Sequence, residues 1–223
     1  MKFSEIKGLK DLKNNLIRSV QNNHLAHALM FNTNEGGAGL LMAQAFATYI
    51  NCENKSETDS CGECPSCHKM ERLIHPDLHF FLPVTTTKEV KKANSEGFIK
   101  HWREFIDKNP YGTWLDWSKH IGAENKQLMI HKEESIRILN ISSMKPFEAK
   151  NKIIIIWLPE FLNHYSANAL LKNLEEPPPN TIFILITEDL EKILPTIISR
   201  TQIIRIPPYN VNEVSEILEE QYH

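Results

Sequence analysis

The 223-residue chain lacks several things that would each mark a class of protein. It has no basic excess: the formal net charge is −3, whereas proteins that chiefly coat nucleic acid carry a surplus of Lys and Arg. It has no apolar run near the ~18 residues that would cross a bilayer. Residues 1–10 contain no apolar stretch of the kind found in secretory leaders. These absences lead us to expect a cytoplasmic protein with no membrane partner, in a compartment where thiols stay reduced. There is no internal repeat and no low-complexity tract. Cysteine is absent everywhere except between positions 52 and 67.

What is present suits a folded domain. Apolar residues make up 41% of the chain, enough for a buried core and too many for a disordered one. Leu9, Leu12, Leu16 and Val20 recur at helical spacing, predicting a helix over 9–22. A short apolar run at 28–31 predicts a strand, followed by a turn-rich loop at 32–39 and an Ala-rich buried helix at 40–50. Further strands are expected at 79–82, 152–157, 181–187 and 203–206. Helices are expected at 131–142, 163–174, just before 199, and at 212–221. The run Lys152-Ile153-Ile154-Ile155-Ile156-Trp157 has the unbroken β-branched character of a strand covered on both faces. Strands alternating with helices imply α/β architecture around a parallel sheet. Residues 84–131 are polar with scattered aromatics. They read as an insertion with some helix, whose Trp and Tyr residues form either a small local core or a partner surface.

The loop from Asn32 to Gly39 has the setting of a phosphate-binding loop but not its side chains. Such a loop needs a Lys for the β- and γ-phosphates and a Ser or Thr for Mg²⁺. In the register set by residues 27–31, Gly39 stands at the Lys position and Leu40 at the Ser/Thr position. Gly36 and Gly39 keep the turn; the charge and the metal ligand are gone. Taken alone, the loop reads more readily as a plain glycine turn, because short glycine matches are weak signals.

Cys52, Cys61, Cys64 and Cys67 are separated by eight, two and two residues. Zinc takes four tetrahedral ligands, and Cys-x₂-Cys brings two thiolates to one ion around a tight turn. Gly62 and Pro65 suit such turns. Two disulfides would require an oxidising compartment. A redox pair, or haem attachment at Cys64-Pro65-Ser66-Cys67-His68, leaves two cysteines idle. We therefore expect structural zinc, with all four positions filled and no catalytic vacancy.

The stretch Ser166-Ala167-Asn168-Ala169-Leu170-Leu171-Lys172-Asn173-Leu174-Glu175-Glu176-Pro177-Pro178 closely resembles the segment after the Walker B strand in bacterial replicative clamp-loader subunits of the gamma/tau/delta-prime family. His24-Leu25-Ala26-His27-Ala28-Leu29 is similar to that family's entry to the P-loop strand, and the cysteine module follows the P-loop helix as it does there. Residues 183–187 resemble its sensor-1 strand. Ser199-Arg200-Thr201 resembles its Ser-Arg-Cys motif, with Thr in place of Cys. The resemblance covers about 5–83 and 130–207.

The resemblance implies an AAA+ P-loop NTPase fold with a five-stranded, mostly parallel sheet and helices on both faces. That domain would span 1–207, with a zinc module at 52–67 and an insertion at about 84–131. Residues 208–223 would begin a helical lid domain, with the rest of the lid and the collar domain absent. The resemblance also aligns the Walker B acid pair with Trp157 and Leu158. Neither can bind a metal or polarise water.

The implied function is that of a subunit that does not hydrolyse ATP and binds neither ATP nor Mg²⁺. It would sit among other clamp-loader subunits (gamma/tau and delta), with the sliding clamp and primer-template DNA within reach of the assembly. Arg200 would be a finger toward a neighbour's ATP, or else a helix cap. Two other readings remain: a gamma/tau-type ATPase with atypical motifs, and a zinc-containing DNA-binding protein on the same fold.

Overall fold

The computed structural model describes residues 1–222. Its frame is one sheet of five strands: β1 (Ala28–Asn32), β2 (Leu78–Phe81), β3 (Lys152–Trp157), β4 (Thr181–Thr187) and β5 (Gln202–Arg205). Their spatial order is β2-β3-β4-β1-β5, and every pairing is parallel. Parallel neighbours need crossovers, and the helices supply them. α1 (Lys10–Gln21), α2 (Gly39–Asn51) and α3 (Pro65–Glu71) lie in the first half of the chain. α4 (Ile99–Lys108), α5 (Trp114–His120) and α6 (Lys132–Ser143) fill the long passage from β2 to β3, and α7 (His164–Glu175) joins β3 to β4. The four-residue α8 (Pro195–Ile198) precedes β5, and α9 (Val211–Tyr222) follows it.

The alternation of side chains along β3 explains why its sequence is uniformly apolar. Ile153, Ile155 and Trp157 pack into one core layer with α2 and α4. Ile154 and Ile156 pack into a second layer with α6 and α7. All four isoleucines are fully buried. Each such burial is worth about 1.5–3 kcal/mol, so a polar residue on either face would be costly. β4 divides the same way, with Ile182, Ile184 and Ile186 on one side and Phe183 and Leu185 on the other. α2, at the centre of the first layer, is buried along its whole length. The expected sheet with helices on both faces is what forms.

Two expectations change. The last strand begins at Gln202 rather than 203 and is largely exposed, because β5 is an edge strand paired only with β1. The aromatics of 84–131 are not a small separate core. Phe98, Trp102, Phe105 and Trp117 are fully buried and continuous with the main layer. Trp102 meets Trp157 at a ring-centroid distance of 4.9 Å. The ends of the segment are tied together by an antiparallel bridge, with reciprocal backbone hydrogen bonds between Val84 and Met129 of 2.9 and 3.1 Å. Once the ends are joined, the segment folds as a closed flap against the first core layer.

Candidate functional site

α2 has a loop of interest at each end. At its carboxyl end, Cys52 is the C-cap, Cys61 lies in the following loop, Cys64 is the N-cap of α3 and Cys67 lies in the first turn of α3. The four sulfur atoms lie within 4.8 Å of one another. Cys61 Sγ is 3.5 Å from Cys52 Sγ and 3.9 Å from Cys67 Sγ. A tetrahedron with Zn–S bonds of about 2.3 Å has edges of about 3.8 Å, so this set fits zinc. Sulfurs this far apart are not disulfide-bonded, and all four thiols are free.

The backbone supports anionic sulfur. N–H groups of Cys61, Cys64 and Cys67 donate to Cys52, Cys61 and Cys64 Sγ at 3.2, 3.4 and 3.4 Å. Such outer bonds orient metal ligands and favour thiolate. The Cys61 thiol is drawn down to about 6, first by the backbone N–H of Glu63. Burial pushes the Cys52 and Cys67 thiols up. Gly62 turns the loop at φ +78°, a conformation that Cβ disfavours. The four cysteines can therefore hold a metal ion, and their chemistry is that of a closed structural site.

Asp59 bolts this loop to the start of the chain. Its carboxylate accepts the N–H of Phe3 at 3.0 Å and of Ser4 at 2.8 Å. Burial would raise its pKa, but these bonds outweigh it and hold the group below its ordinary value. Asp77 does similar work just before β2. Fully buried, it accepts three backbone N–H bonds from Phe147, Glu148 and Ala149. Neither aspartate was singled out from the sequence. The His75-Pro76-Asp77 turn was the available cue for Asp77.

At the amino end of α2 lies the glycine loop. Gly36 takes φ +69°, and the Tyr111 carbonyl lies 3.7 Å from where a Cβ on Gly36 would sit, so the 84–131 flap covers this turn. At Gly39 a Cβ would stand 2.7 Å from Thr33 Cγ2 and 3.0 Å from Ile186 Cγ2. Gly39 is therefore a packing glycine, and a side chain there forces Thr33 or Ile186 to shift. Leu40 is buried in the core. Trp157 is buried against Trp102 and Phe105, and Leu158 is fully buried with φ +58°. The residues at the four motif positions thus serve packing.

Past the carboxyl ends of β3 and β4 the charge is acidic. α/β folds bind ligands at these ends. Here Glu160 Oε1 accepts the Glu188 N–H at 3.0 Å, just past β4. Burial raises both carboxyls. Glu188 reaches about 7, with the charges of Glu160 and Glu35 adding to the effect of burial. Lys192 pairs with Asp189 at 3.1 Å.

Arg200 follows α8. Its Nη1 donates to the Thr196 carbonyl at 2.9 Å, and Nη2 pairs with Glu175 at the end of α7. Its side chain is about one-third exposed, at 32%. His27, just before β1, bonds the Leu174 carbonyl at 2.9 Å and so ties the start of β1 to α7.

Comparison with known proteins accords with this architecture. The profile of the family described as DNA polymerase III, delta subunit matches residues 8–210. A DNA polymerase III subunit delta' of Bacillus subtilis is 28% identical over 210 residues, covering 92% of this chain and 50% of that protein. A subunit tau/gamma of Haemophilus influenzae is 26% identical over 216 residues, covering 97% of this chain and 25% of that protein. The chain thus spans half or less of the length of these relatives. Among solved structures, a DNA polymerase III gamma subunit-related protein of Thermotoga maritima superposes with a TM-score of 0.56 at 16% identity, covering 94% of this chain and 50% of that one. The RuvB Holliday junction branch migration motor of the same organism gives 0.50 at 11% identity, with coverages of 95% and 49%. These likenesses establish the AAA+ P-loop fold.

Proposed function

The chain belongs to the DNA polymerase III delta subunit family, and from that premise we propose that it is a non-hydrolysing subunit of a replicative clamp loader. Its role is to scaffold. Neighbouring gamma/tau-type subunits hydrolyse ATP to load the sliding clamp onto primer-template DNA, and this subunit holds its place among them with delta. The cysteine cluster holds one structural zinc that braces the carboxyl end of α2. Delta' relatives are among the similar proteins, beside gamma and tau relatives of comparable similarity.

The observation that carries the reading is the replacement of catalytic chemistry by packing. Gly39 has no room for a side chain. Leu40, Trp157 and Leu158 are core residues. Glu160 and Glu188 add negative charge beside them. A triphosphate with Mg²⁺ finds no cationic cradle and no Walker B acid pair.

Arg200 is the finger toward a neighbour's γ-phosphate. Its guanidinium is held by Glu175 and the Thr196 carbonyl until the neighbour's nucleotide competes for it. An exposed pair of this kind is worth only about 0–1 kcal/mol, so exchanging it is cheap.

The test is equilibrium binding of Mg-ATP to the purified, metal-assayed chain, with an active P-loop subunit as control. The expected result is no binding at millimolar nucleotide and one metal in the cysteine cluster. Saturable, Mg²⁺-dependent binding would make the chain an ATPase-type subunit. For Arg200, Arg200→Lys in the assembled loader should lower the neighbour's ATP turnover without changing assembly. Unchanged turnover would leave Arg200 a helix cap.

A further inference from the structure

The flap formed by 84–131 contains a cluster that the clamp-loader reading does not use. His101 and Glu104 stand three residues apart on α4, on one face of the helix. His120 ends α5. The three side chains each offer a ligating atom, and these atoms lie within 4.8 Å of one another. Glu89, in a bend between β2 and α4, is close to the same point, with Oε2 3.7 Å from His101 Nε2.

The imidazole of His120 is fixed by its neighbours. It stacks on Trp117 at 6.0 Å with an interplanar angle of 20°, and it meets the Phe105 ring at 5.6 Å. The His101 ring lies 6.2 Å from it, edge to face. His120 Nε2 is buried and has no hydrogen-bond partner among the described residues. Buried polar atoms are mostly hydrogen-bonded, so this nitrogen is open to a ligand, and it differs from the other unpartnered buried atoms in lying beside a second imidazole and a carboxylate. Histidines used only as packing pieces at the rim of a core do not need to converge with a carboxylate.

From this convergence we propose that His101, Glu104 and His120 form a second metal site, separate from the cysteines, for a first-row divalent cation such as zinc. Two imidazoles and a carboxylate are an ordinary zinc donor set, and the nitrogen and oxygen ligands equally suit cobalt or nickel. Bonds of about 2.0–2.1 Å set ligand edges near about 3.4 Å. Glu104 is exposed, so its carboxylate can close that gap by rotation. Glu89 or water completes the shell. The ion would clip α4 to the end of α5, on the outer side of the aromatic cluster that seats the flap on Trp157. It would fasten the flap over the glycine loop and needs no chemistry of its own.

The test uses the tag-free full chain, stripped with chelator, reloaded with Co²⁺ or Zn²⁺ and assayed for metal content. His120 is packed, so its substitution risks a folding defect. Glu104→Gln and His101→Gln change rim residues instead. We expect each to bind one metal fewer per chain than the parent. The Co²⁺ spectrum should lose a component that lacks sulfur charge transfer, while the intense thiolate bands of the cysteine site stay unchanged. In Cys64→Ser the thiolate bands should collapse and the nitrogen/oxygen component persist. Equal metal content in the parent and both rim variants would overturn the second site, whatever that content is. Failure of the cysteine site would appear separately, in the thiolate bands.

Discussion

The two ends of α2 invite comparison. At the amino end, a glycine loop leads from β1 into α2 with Gly39 and Leu40 packed in place and no Lys, Ser or Thr at those two positions. At the carboxyl end, the cysteine loop keeps all four ligands within 4.8 Å and the backbone bonds that orient them. The difference lies in what holds each loop. The cysteine loop is a small structure with little apolar burial of its own, so its shape depends on its ligands and on Asp59. The glycine loop is set by packing: Thr33, Gly39 and Ile186 interlock beneath it, and the flap covers it. A frame supported by a core can outlive its chemistry. A frame supported by ligands cannot.

The largest expected effect tests the ligand-held end. Cys64→Ser, or stripping the metal from the parent, should destabilise the chain by about 3 kcal/mol or more, because metal binding there is folding energy. Chemical denaturation with and without chelator measures this. A shift below ~0.5 kcal/mol would mean that the loop stands without its ion.

A smaller effect tests the core-held end. Gly39→Lys restores the missing cation in sequence but drives a Cβ into Thr33 and Ile186. It should cost about 1–3 kcal/mol, as overpacking does, and should not confer Mg-ATP binding. Gain of nucleotide affinity without loss of stability would show that the loop is free to adapt.

The smallest effect concerns the acidic strand ends. Glu188 has its carboxyl raised from 4.5 to about 7 by burial and by Glu160 and Glu35. Between those values the native state binds more protons than the unfolded state, so stability falls as pH rises through that window. Glu188→Gln removes the penalty. It should stabilise the chain by about 1 kcal/mol at pH 8, after allowance for solvent screening, and by nothing at pH 4. Urea titrations at the two pH values decide it. Equal effects at both would point to packing instead of charge.

Legibility followed the range of the interactions. The β-branched run of β3, the helical spacing of α1 and the cysteine spacing are local patterns, each tied to a backbone period or a ligand geometry. They were readable to within a residue or two. The polar composition of 84–131 was also visible in the sequence, and the Val84–Met129 bridge joins residues near its two ends. The destination of that segment was not. Nothing local in Trp102 or Trp117 says that they will meet Trp157 and extend the main core. Asp59 and Asp77 likewise look like ordinary surface acids until their backbone partners, distant in sequence, are in place.

The sequence by itself determined the α/β class, the order of strands and helices, the clustering of the four cysteines and the absence of Lys, Ser or Thr at positions 39 and 40. Each of these depends on residue type at a fixed short spacing. Only the tertiary structure decided that Gly39 has no room for a side chain, that Glu160 and Glu188 share one acidic corner, that Arg200 rests on Glu175, and that His101, Glu104 and His120 converge. Those facts arise where segments far apart in the chain are pressed together. Burying the two apolar faces of the sheet sets that arrangement, and no local pattern encodes it.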